Sequence, residues 1–194
     1  MDDPGALALT PDGEAFVLDV GKKEVLVFAP DGQGLRAIGT RGRRGGQLAD
    51  PVDLVLGPNG FVYVLDRGRG GVQIFSYDGT FVRDVPLGVA IADPLSLAVG
   101  NDGAIYITDR RSPNAVFVLP PFTELPWAGG LPPGAASRVA FRGNGPLAPV
   151  ATVVNGVGSV VVLDRESGRL WRVNPKAPQE LGADDAVYGG KGSG

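Results

Sequence analysis

The chain contains no cysteine and no histidine. Zero cysteine removes disulfides, thiol nucleophiles, iron–sulfur clusters and thiolate zinc sites together. Zero histidine removes the usual metal ligand, the Ser-His-Asp triad and the commonest general base. Methionine occurs once and aromatics make up only 7%. No apolar run approaches the roughly 20 residues that span a bilayer, so no membrane insertion is expected. Residues 1–30 open on Asp2 and Asp3 and do not read as a secretory leader. The chemistry left open is oxygen-ligand metal binding, carboxylate catalysis and non-covalent recognition.

Glycine (31) and proline (17) are abundant against 43% hydrophobic residues, a composition that suits many short strands joined by tight turns. Net charge is only −3, which implies neither a polyanion binder nor an acidic tail. A repeat runs through the chain. Gly13, Gly60, Gly103 and Gly158 each stand six residues before Asp19, Asp66, Asp109 and Asp164, and nine residues after Pro4, Pro51, Pro94 and Pro149. Six residues past each aspartate a new apolar strand opens, at Val25, Val72, Ala115 and Leu170. The spacings from proline to proline are 47, 43 and 55 residues. Each unit reads as strands rich in β-branched and aromatic residues, such as Phe16-Val17-Leu18 and Tyr63-Val64-Leu65. A fourth strand is expected at Phe81–Val85, Leu35–Ile38 and Leu125–Ala128. Asp12-Gly13, Asn59-Gly60 and Asp102-Gly103 are hairpin turns that require positive φ. Near-continuous apolar strands imply sheets covered on both faces, and four-stranded units of about 40–50 residues are the pattern of a propeller blade.

The string Asp50-Pro51-Val52-Asp53-Leu54, then Asn59-Gly60-Phe61-Val62-Tyr63-Val64-Leu65-Asp66, then Val72-Gln73-Ile74-Phe75-Ser76-Tyr77-Asp78-Gly79, resembles an NHL repeat. The resemblance runs from residue 3 to about 175 and departs from the pattern at Val157, where an Asp or Asn is usual. It implies an all-β propeller of four-stranded antiparallel blades at 3–49, 50–92, 93–147 and 148–183, followed by a Gly-rich tail or linker at 184–194. It also implies a ring of usually six blades that works mostly as a binding surface. Four units then read as a piece of a longer chain, a ring completed by another copy or partner, or a closed four-bladed ring. Some relatives are lyases or hydrolases with a metal in the central channel, held by histidines that this chain lacks. The resemblance and the absence of cysteine incline the compartment toward extracytoplasmic, which nothing else in the sequence fixes.

Asp19, Asp66, Asp109 and Asp164 are the candidate carboxylate ring. Recurrence in every unit favours a structural role at strand ends, accepting N–H bonds from the following turn; the competing reading is a Ca²⁺ site, since that ion needs only oxygen ligands. The loops that follow carry Lys22, Lys23, Arg67, Arg69, Arg110, Arg111, Arg165 and Arg169, and the first blade-to-blade connection carries Arg41, Arg43 and Arg44. Equivalent loops of a propeller emerge on one end, so 11 of 18 basic residues are expected to gather there, with Asp12, Asp31, Asp78 and Asp102 opposite. Such a face would steer an anionic partner, such as an acidic protein, RNA or another polyanion. The RNA reading lacks an aromatic stacking platform in these loops. Trp127, within the proline-rich stretch 120–149, is a candidate anchor for a partner. The expected function is a non-enzymatic docking platform for another protein or another copy of itself. The alternatives are a subunit whose blades are completed in trans and a Ca²⁺-dependent lyase or hydrolase.

Overall fold

The protein was studied as a computed structural model, which describes residues 1–112, 115–124, 136–140, 148–155 and 159–173. It divides into two compact units, Met1–Ala92 and Asp93–Gly194.

Unit 1 holds two antiparallel sheets. The first runs β1 (Pro4–Leu9), β2 (Ala15–Asp19), β3 (Glu24–Phe28), β4 (Gly34–Ile38), and the second β7 (Pro51–Gly57), β8 (Phe61–Asp66), β9 (Gly71–Ser76), β10 (Phe81–Pro86). Between them lies a short parallel pair, β5 (Thr40–Arg41) and β6 (Gln47–Leu48). Unit 2 has a sheet of β11 (Pro94–Val99), β12 (Ile105–Asp109), β13 (Ala115–Leu119) and β14 (Ser137–Ala140). A second sheet follows, with β15 (Pro149–Val154), β16 (Val160–Asp164) and β17 (Arg169–Val173) among the described residues. Each of the four antiparallel sheets is a plain meander in chain order, the topology of a propeller blade.

The turns follow from backbone sterics. Gly13, Gly60 and Gly103 sit at φ 89°, 77° and 83°, a region open to glycine and costly for most other residues. Ser137–Ala140 pairs with β13 as the fourth strand of the third blade; the strand expected at Leu125–Ala128 falls on residues outside those described. Val139 of β14 buries against the blade core. A bulge recurs one step into each first strand, between Pro4 and Ala6, Pro51 and Asp53, Pro94 and Ser96, and Pro149 and Ala151.

Blades stack through alternate rows of side chains, because neighbouring residues of a strand face opposite ways. In unit 1, Phe16, Leu18, Val25, Val27 and Ile38 of the first blade share a core with Leu54, Val62, Val64 and Phe75 of the second, with Leu48 closing one edge. In unit 2, Ala98, Tyr106, Val116 and Val139 share a core with Val160 and Val162. The other face of the first blade is different. Leu7, Val17 and Leu26 lie side by side across β1–β3, yet Leu7 and Leu9 are each 63% exposed. On the last blade, Val153 and Leu163 are likewise exposed.

Candidate functional site

The repeated aspartates are the most buried acids of the molecule: Asp19, Asp66 and Asp164 are fully inaccessible and Asp109 nearly so. Each accepts N–H bonds from both sides of its blade's entry. Asp66 takes those of Ala49 (2.7 Å), Asp50 (2.9 Å) and Arg69 (3.1 Å). Asp19 takes those of Asp2 (2.6 Å), Asp3 (3.1 Å) and Lys22 (3.0 Å). Asp109 binds Asp93 and Arg111, both at 2.7 Å, and Asp164 binds Ala148 (2.8 Å), Glu166 and Ser167. One carboxylate therefore staples the segment entering the first strand to the turn leaving the second. Burial pushes the Asp19 carboxyl up, but its three backbone donors and the nearby N-terminal charge prevail and hold it down at about 2.

In unit 1 these staples bring the β2–β3 turn, the 39–50 connection and the β8–β9 turn together. The connection is pinned from below by Gln73, which is fully buried; its Oε1 accepts the Gly46 N–H at 2.9 Å, and its Nε2 donates to the Gln47 carbonyl. Arginines complete the lashing. Arg41 donates to the Gly21 carbonyl (2.7 Å), Arg43 to that of Gly68 (3.0 Å), and Arg69 to the Arg43 carbonyl and the Asp84 carboxylate. Arg67 pairs with Asp50 at 2.8 Å and Lys22 with Glu24 at 3.9 Å. Most basic side chains of this end are thus engaged in holding the loops, and Arg69 is only 13% exposed.

Unit 2 is balanced differently. Arg110 lies 3.6 Å from Asp93. Arg111, Arg165 and Arg169 are exposed, and among the described residues their guanidinium groups make no ion pair or hydrogen bond; the same holds for Arg44 in unit 1. A cavity of about 170 Å³ opens beside Arg110 and Arg165, lined also by Leu95, Asp109, Ala148, Pro149 and Val150. Trp127 lies outside the described residues. Among the described residues no cluster of three or more acids is arranged to hold a metal ion, and no helix is long and apolar enough to cross a membrane.

Sequence reasoning missed the buried Gln73 and the bracing role of Arg69. Gln73 is a polar residue in an otherwise apolar strand, and that break in the pattern was the available signal; Arg69 stands in a charged turn that carries none. It also missed the upstream half of the aspartate staple, although each aspartate stands fifteen residues after its proline.

No protein-family model matches the chain, and no curated protein matches it in sequence. Solved structures do match in fold. A streptogramin B lyase superposes with a TM-score of 0.65 at 12% identity, over 90% of this chain and 52% of that one. A catalytically inactive virginiamycin B lyase from Staphylococcus aureus, with quinupristin, gives 0.63 at 15% identity, over 89% and 53%. The hydrazine synthase of Kuenenia stuttgartiensis gives 0.65 at 13% identity, over 92% and 47%. The chain spans about half the length of these proteins, and at such identities the likeness concerns fold alone. The protein is an all-β chain of antiparallel β-propeller blades.

Proposed function

We propose that the chain is a non-enzymatic binding and scaffolding propeller of NHL type that docks an acidic partner protein through its loop end. The observation that carries this reading is the set of exposed, uncommitted arginines in unit 2: Arg111 and Arg165 on turns whose backbone is stapled by Asp109 and Asp164, and Arg169 at the start of β17. A docking surface held in place before binding loses less entropy on association, and exposed guanidinium groups favour carboxylates that they can grip with two N–H donors. The repeated carboxylates are committed to backbone donors, which supports a structural rather than catalytic role for them.

The test is fluorescence anisotropy with a labelled polyglutamate peptide. The reading predicts salt-sensitive binding that weakens at least tenfold in the Arg111→Glu, Arg169→Glu double variant. Equal affinity of wild type and variant would reject it. Binding of an oligoribonucleotide but not of polyglutamate would move the partner to RNA.

A second reading, completion of the propeller by another copy, is favoured by the exposed apolar rows of the first and last blades. By repeat position, Leu7 and Leu9 are the counterparts of Leu54 and Leu56, which pack against the preceding blade. Val161 and Leu163 are the counterparts of Phe16 and Leu18, which pack against the following one. The two exposed rows are therefore of complementary kind.

A further inference from the structure

Directly after the repeated aspartate come Val20, Arg67, Arg110 and Arg165. Each donates its backbone N–H to the carbonyl of the residue before the repeat proline: Asp3 (2.7 Å), Asp50 (3.0 Å), Asp93 (2.9 Å) and Ala148 (3.1 Å). The backbone thus fixes two side chains next to each other in every blade. Where both are charged they pair, as Arg67 does with Asp50 and Arg110 with Asp93. In the fourth repeat the arginine is kept and the acid is replaced by Ala148. Arg165 therefore lacks the counter-charge that Arg67 and Arg110 have, and Arg165 and Ala148 both line the cavity of about 170 Å³.

We infer that this cavity is a binding site for a small monocarboxylate with an apolar body, whose carboxylate takes the place at Arg165 that Asp50 and Asp93 take in the other blades. Leu95, Pro149 and Val150 supply apolar wall, and Arg110, paired with Asp93, lines the same space. The Asp109 carboxylate on the wall already accepts two N–H bonds, one at each oxygen, from Arg111 and Asp93. An apolar cavity of about 150 Å³ accommodates benzene, so a body of one ring or a short branched chain matches the volume. The guanidinium supplies two parallel donors to a carboxylate. The site shares a loop end with the docking arginines but does not depend on a macromolecular partner.

The experiment is titration of the full chain with benzoate, followed by NMR and calorimetry, with benzamide and inorganic phosphate as comparison probes. Saturable benzoate binding is expected, with the amides of Arg110, Arg165 and Val150 among the most shifted, and with benzamide and phosphate at least tenfold weaker. Arg165→Gln should weaken benzoate at least tenfold. Ala148→Asp installs the pair already present in two other repeats and should abolish binding while the chain stays folded; it decides the matter even where Arg165→Gln fails to fold. Benzoate that does not saturate, that binds Ala148→Asp as well as wild type, or that binds no better than benzamide or phosphate overturns the proposal. The Arg111→Glu, Arg169→Glu variant should keep benzoate while losing polyglutamate, so the two proposals fail separately.

Discussion

At the scale of single residues, the repeated aspartates bear the largest energetic consequence. Asp66 is fully buried and accepts three backbone N–H bonds, and a hydrogen bond to a charged group contributes about 1.5–3 kcal/mol, with a similar penalty for orphaning a buried donor. Asp66→Ala is expected to destabilise the chain by roughly 3 kcal/mol or more, read as a lowered midpoint in urea unfolding. Asp19 gives a pH dependence whose sign follows from its lowered pKa. The native state favours the charged form, so its contribution is present above the unfolded value near 4 and is lost as pH falls through about 2. The difference in melting temperature between wild type and Asp19→Asn should therefore be constant above about pH 5 and shrink toward zero by pH 2. A difference independent of pH across that range would contradict the assignment.

At the scale of elements, the strands and turns could be read from residues alone because both carry local chemistry. Phe16-Val17-Leu18 and its counterparts are β-branched or aromatic, and Gly13, Gly60 and Gly103 occupy backbone conformations that favour glycine. The β14 strand of the third blade was not legible in the sequence because its pairing is decided by tertiary contact. Ser137–Ala140 carries little propensity beyond Val139, which earns its place by burial against β13. The bracing of loops was hidden for a related reason. A basic residue in a loop looks alike whether it meets solvent, as Arg111 does, or a carbonyl of another loop, as Arg43 does with Gly68. The Gln73 brace makes a prediction at this scale. Gln73→Leu leaves the Gly46 N–H and the Gln47 carbonyl without their partner, at a cost of about 1–3 kcal/mol. The 39–50 connection should then open more often, and limited trypsin digestion should cut after Arg43 and Arg44 several-fold faster than in wild type. Unchanged cleavage would show that the connection is held by other contacts.

At the scale of the whole molecule, the repeat turns local sequence into surfaces. Staples at Asp19, Asp66, Asp109 and Asp164 set the loops, and the charges those loops carry then determine what they can meet. Exposed apolar rows on the first and fourth blades are the second consequence of repetition, since a row that covers a neighbouring blade in one repeat is left uncovered in another. Sedimentation velocity at rising concentration should show association of the wild type, weakened by Leu7→Glu with Leu9→Glu or by Val153→Glu; a concentration-independent monomer would argue against completion by another copy. The central claim is that the loop end is the docking surface. Its most direct measurement is the NMR shift map of the chain on addition of the polyglutamate peptide. The largest perturbations are expected at Arg111, Arg165, Glu166 and Arg169, with none at the turn around Asp102, at the other end of β12 from Asp109. Perturbations centred on the Asp102 turn, or spread evenly over both ends of the third blade, would contradict it.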